Sequence, residues 1–168
     1  MDKTMVRRRN MFPRLLLLAI LCSARPAGAQ ASTATATIAI TATVLSFCTI
    51  TALPLPFGNY SQAALAATTT VSATCTLGTT YNIGLDAGIG TGGTVAARKM
   101  TYLTNTLTYS LYQDSGHATV WGNTIGTNTV TGTGNGAIQS LTVYGLIPAS
   151  QLVTPGAYTD TVTATITY

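Results

Sequence analysis

Glutamate is absent from this 168-residue sequence, and histidine occurs once, at His117. General acid–base catalysis and metal binding both need converging carboxylates and imidazoles, so the chain has little from which to build either. Asp114, Ser115 and His117 are the residue types of a nucleophilic triad. They are crowded into a single Asp-Ser-Gly-His stretch, which reads more simply as a hairpin tip. No catalytic residue, metal ligand or cofactor is therefore assigned. Long hydrophobic runs are missing too. The apolar stretch Leu15–Leu21 is too short to span a bilayer. Behind Lys3, Arg7, Arg8, Arg9 and Arg14, and ahead of Ala27-Gly28-Ala29, it has the form of a secretory signal over residues 1–29, with the mature start at Gln30. Cys22 follows a bulky Leu21, which does not suit lipoprotein processing.

With the leader set aside, charge is nearly absent. Arg98 and Lys99 face Asp86, Asp114 and Asp160, a net of −1 over 139 residues. The basic balance of the whole sequence thus belongs to the export signal. With no Lys/Arg cluster left to neutralise phosphates, nucleic acid is excluded as a partner. Soluble surfaces usually carry about a quarter charged residues, and low charge removes the repulsion that keeps molecules apart. Thr takes the place of charge, with 33 residues after position 29. A β-branched polar side chain suits a pleated sheet with one wet face. The composition favours a packed extracellular assembly. Two cysteines remain, Cys48 and Cys75. In an exported chain they predict a disulfide, worth about 3–4 kcal/mol on the chain-entropy model.

No convincing helical period follows the leader. Residues Ala31–Leu45 alternate instead, with Ala34, Ala36, Ile38, Ile40, Ala42 and Val44 on one face and threonines dominating the other. Further apolar or alternating stretches fall at Cys48–Leu53, halted by Pro54 and Pro56, and at Thr68–Thr76, Tyr81–Leu85 and Leu107–Leu111. Val120-Trp121 reads as a short returning strand, Gly122–Gly136 as a polar loop, and Leu141–Gly145 as another strand. Tyr158–Tyr168 closes the chain with Val162, Ala164, Ile166 and Tyr168 on one face. About seven short strands separated by turns predict an all-β, immunoglobulin-like sandwich. Asp86 and Asp160 are expected to bond local backbone, with Arg98 pairing with one of them. Alternating tyrosines are expected to pack in the sheets. The last alternation runs to Tyr168 with no further strand behind it, so an open edge is expected there.

Scattered signatures then accumulate: Phe57-Gly58-Asn59-Tyr60, Ala73-Thr74-Cys75-Thr76, Leu85-Asp86-Ala87-Gly88, Arg98-Lys99-Met100, Leu107–Asp114, Trp121-Gly122, Tyr144–Ala149 and Gly156–Val162. Together they resemble the spore coat protein U domain family, which includes subunits of archaic (Csu-type) chaperone–usher pili. The resemblance implies an incomplete sandwich over residues 47–168, completed by a donor strand. Residues 30–46 are the donor, with Ala36, Ile38, Ile40, Ala42 and Val44 inserting. Val162, Ala164, Ile166 and Tyr168 form the accepting edge. The implied partners are other pilus subunits, a periplasmic chaperone and an outer-membrane usher. The implied setting is a surface fibre, exported through the periplasm, that serves adhesion or biofilm formation. The alternative is a spore or cell coat protein whose leading strand folds back in cis.

Overall fold

The computed structural model describes Gly28 and residues 30–168, so the secretory leader assigned to 1–29 lies, Gly28 apart, outside the described residues. The chain divides between Thr41 and Ala42 into two units. In the first, residues 30–41 form no strand and are exposed.

The second unit carries eight strands: β1 Cys48–Ala52, β2 Leu65–Cys75, β3 Thr80–Leu85, β4 Arg98–Tyr102, β5 Asn105–Tyr112, β6 Val130–Thr133, β7 Ile138–Ile147 and β8 Ala164–Thr167. They form a five-stranded sheet in the order β1-β2-β7-β5-β4 and a three-stranded sheet in the order β6-β3-β8. Every ladder is antiparallel. The long β2–β7 pairing, from Leu65 opposite Ile147 to Thr74 opposite Ile138, forms the spine of the larger sheet.

Period two decides what is buried. Val71, Ala73 and Cys75 of β2, Tyr81, Ile83 and Leu85 of β3, Leu107, Tyr109 and Leu111 of β5, and Val143 and Ile147 of β7 all face the space between the sheets. Threonine and serine occupy most of the alternate positions. Trp121 closes the core, 1% exposed, its indole N–H donating to the Ile83 carbonyl at 2.9 Å. Cys48 and Cys75 are opposite one another in the β1–β2 ladder and are disulfide-bonded. This is an all-β, immunoglobulin-like sandwich, as the alternation predicts.

The element list differs from the expected one in five places. β6 lies inside the stretch read as a polar loop. Its Gly132 packs under the Tyr81 ring, which leaves no space for a side chain, so a glycine that looks like loop is there for packing. β4 is a strand that its Arg-Lys start disguises. Val120 makes only an isolated bridge to Tyr112. The closing alternation forms a ladder only over Ala164–Thr167. The leading alternation Ala31–Leu45 forms no strand here, because a strand is defined by a neighbour's ladder and the pattern alone supplies none.

Candidate functional site: a groove beside the last strand

β8 pairs with β3 on one side, and among the described residues its other edge carries no ladder. Beside this edge lies a cavity of about 600 Å³. One lip is Ala52 at the end of β1 and the strandless run Leu53-Pro54-Leu55 with Phe57, and the other is Tyr158–Val162 with Ala164. The floor is apolar: Val71, Leu85, Met100, Leu111 and Val143, with Tyr109. A second recess of about 970 Å³ shares Leu55, Phe57, Met100 and Tyr158 with the first, so the two adjoin. The second recess lies between Gly58–Gln62 on one side and Gln151 with Val153–Ala157 on the other. Towards the β8 C-terminus the groove narrows. There β1 and β8 approach within 8 Å between Cα atoms without forming a ladder.

The sequence builds the two lips differently. Leu53, Leu55 and Phe57 alternate with Pro54 and Pro56. Proline has no N–H to give a ladder, so this run lies along the groove as an edge with two donors missing. Phe57 meets the Tyr109 ring edge-on at 5.8 Å between centroids. Gly145 of β7 makes this seat possible: a Cβ there would stand 2.7 Å from both the Leu55 and Phe57 side chains.

Polar pins rather than a ladder hold the second lip. Thr101 and Thr159 exchange main-chain bonds at 2.8 and 3.1 Å. The Asp86 carboxylate accepts the N–H groups of Thr163 and Gly88, each at 2.9 Å. Asp160 accepts from Ile89, Gly90 and Thr161, and its other oxygen accepts the Tyr109 hydroxyl at 2.7 Å. Partial burial would raise Asp86, but the N–H groups of Thr163 and Gly88 outweigh it and hold the carboxyl below its ordinary value. Burial, followed by the bond to Asp160, pushes the Tyr109 phenol well above its ordinary range.

Beneath both carboxylates lies Arg98, 0% exposed. The expected ion pair is not its direct contact. Its guanidinium donates to four carbonyls, those of Asp86 at 2.7 Å, Val95 at 2.8 Å, Leu85 at 2.9 Å and Trp121 at 2.8 Å. It ties the β3 end, the loop before β4 and Trp121 into one frame. Asp86 and Asp160 meet the expectation of local backbone bonding. Asp114 likewise accepts from Ala118 and Thr119 in a tight turn, as a hairpin tip does.

Of the expected accepting residues, Val162 and Ala164 line the cavity. Ile166 is half-buried against the core opposite Ile83, and Tyr168 is 54% exposed. The first lip is not among the expected residues: Pro54 and Pro56 read as strand stops, although Leu53, Leu55 and Phe57 keep period two through them. Of the expected inserting residues, Ile38, Ile40 and Val44 are 85%, 89% and 88% exposed. Ala36 and Ala42 are exposed as well.

The family model for the Spore Coat Protein U domain matches residues 34–165. "Protein U" of Myxococcus xanthus is 37% identical over 158 residues, spanning 83% of this chain and 88% of that protein. Among solved structures, the chain is similar to the CsuC–CsuE chaperone-tip adhesion subunit pre-assembly complex from archaic chaperone–usher Csu pili of Acinetobacter baumannii. The TM-score is 0.56 at 24% identity, with 75% of this chain covering 40% of the matched one. The E. coli Hda pilus minor tip subunit HdaB overlaps at a TM-score of 0.36 and 18% identity, over 70% of this chain and 79% of that one, too slight a likeness to bear on the fold. The breadth of the family match and the identity to Protein U make this chain a member of the Spore Coat Protein U domain family.

Proposed function

We propose that this chain is a structural subunit of an extracellular fibre that polymerises by donor-strand exchange. Residues 30–46 of one copy seat in the groove beside β8 of the next. The observation that carries the reading is the unpaired β8 edge opening onto an apolar groove, in a chain that also presents an exposed apolar alternation. An open edge of this kind invites another strand, and strand addition to a sheet edge is a recurrent mode of recognition. Burying Ile38, Ile40 and Val44 contributes about 1.5–3 kcal/mol each as an upper-end transfer value, and each ladder bond adds about 1 kcal/mol net. Fourteen extended residues reach about 45 Å, enough to cross a domain.

The narrow end has a consequence for assembly. A donor covering all of β8 must part β1 from β8, so the open form needs support before exchange. A periplasmic chaperone followed by an outer-membrane usher supplies this, with the leader at 1–29 directing export, and the finished fibre serves adhesion or biofilm formation. The test is Ile40→Asp, which puts an unpaired charge in an apolar groove. The variant should fold and bind its chaperone as wild type does while failing to form ladders resistant to sodium dodecyl sulfate. Undiminished ladders would overturn the reading.

The match to the Spore Coat Protein U domain model favours a second reading: a spore or cell coat component whose leading strand pairs with its own domain. Deleting residues 31–43 separates the two. Loss of folding supports the cis arrangement; a stable domain that cannot polymerise supports exchange.

A further inference from the structure

The two ends of the sandwich carry apolar side chains that the groove does not use. At the end where β1 begins, Phe47, Leu77 and Ile138 are 60%, 82% and 72% exposed. Main-chain bonding brings them together: the Thr76 N–H donates to the Phe47 carbonyl at 3.0 Å, and Ile138 pairs with Thr74. At the opposite end, Leu103 and Leu152 are 83% and 84% exposed. Leu103 sits in the β4–β5 turn, and Gln151 bonds both main-chain groups of Thr108 on β5 at 2.8 Å, fixing Leu152 at the same end. Neither end holds charge: residues 45–53, 74–80 and 134–142 at the first, and 102–105 and 148–157 at the second, contain no Asp, Lys or Arg.

We infer that these two apolar ends are the halves of a head-to-tail contact between successive copies of this chain, separate from the groove. The inference rests on the donor-strand reading and on direction. β8 runs from the Leu152 end towards the Leu77 end, because Thr167 pairs with Asn82 near the β3 start and Thr159 bridges Thr101 near the β4 end. Every ladder among the described residues is antiparallel, so a donor added to β8 in that sense runs the opposite way and leaves the groove at the Leu152 end. Its next residue is Phe47 of its own domain. The Phe47–Leu77–Ile138 end of the donating copy is thereby carried against the Leu103–Leu152 end of the accepting one. Covalent continuity names the occupant: a second copy in the polymer.

The test uses the assembled full-length chain carrying Leu77→Cys and Leu152→Cys, with each single variant as a control and a short bis-maleimide as the probe. Ladders resistant to sodium dodecyl sulfate before the probe report groove occupancy on their own. Intact ladders in which the double variant, and neither single one, yields covalent dimers after boiling support the contact. Intact ladders with no covalent dimer overturn it while leaving the groove reading standing. Covalent dimers from Leu77→Cys alone overturn it too, since they mean that like ends meet and the donor lies parallel. Absence of ladders from the wild-type chain fails the groove reading and removes the contact with it.

Discussion

Four carbonyl oxygens, from Leu85, Asp86, Val95 and Trp121, converge on the Arg98 guanidinium. An arginine cannot shed its proton in a protein and accepts nothing, so its burial is tolerable only where acceptors fill its fork of donors. Arg98→Met leaves these carbonyls without partners and should cost about 3–5 kcal/mol, read as a fall in the denaturant midpoint. Asp86 responds to pH with a defined sign. Its carboxyl lies below the ordinary value of 3.8 in the folded state, so the stability that it contributes is present above that value and is lost as pH falls through the folded pKa. A melting temperature measured across this acid range should drop in the wild type and drop less in Asp86→Asn. Arg98 is also the residue whose partners its sequence position disguises most. Its type and position suggest a carboxylate partner, but a linear string does not reveal that three separated loops turn their carbonyls inward at one point.

At the scale of elements, period two carries most of the fold. Wherever alternation coincides with a real ladder, as in β2, β3, β5 and β7, the inward residues are those expected. It fails where the determinant is a neighbour rather than a pattern. Gly132 makes β6 resemble a loop, while its ladder with β3 makes it a strand. Ala31–Leu45 has the pattern and forms no strand. The Leu53–Phe57 lip was legible in principle, since the apolar positions continue their alternation through Pro54 and Pro56. Gly145 tests this lip: Gly145→Val pushes on the flexible tips of Leu55 and Phe57 rather than on backbone. It should therefore cost only about 1–3 kcal/mol while shifting the lip into the groove. The expected outcome is a modest fall in melting temperature with a disproportionate loss of polymer yield. A loss of yield no greater than the stability change predicts would count against the lip's role.

Over the whole molecule, a chain with five charges in residues 30–168 and an apolar groove beside its last strand is poorly suited to remaining a free monomer. The Cys48–Cys75 bridge ties β1 to β2 and so steadies one side of the slot where β1 and β8 approach. Reducing it should lower stability by about 3–4 kcal/mol and weaken donor retention, visible as ladders that dissociate at lower temperature. The central claim is that residues 30–46 of one copy complete the sheet edge of another. Amide hydrogen exchange, compared between chaperone-released monomer and assembled polymer, tests it most directly. The account predicts that the amides of residues 36–44 exchange rapidly in the monomer and become strongly protected only in the polymer, together with those on the free edge of Ala164–Thr167. Protection of residues 36–44 already present in the monomer at every concentration, or rapid exchange there in the polymer, would contradict it.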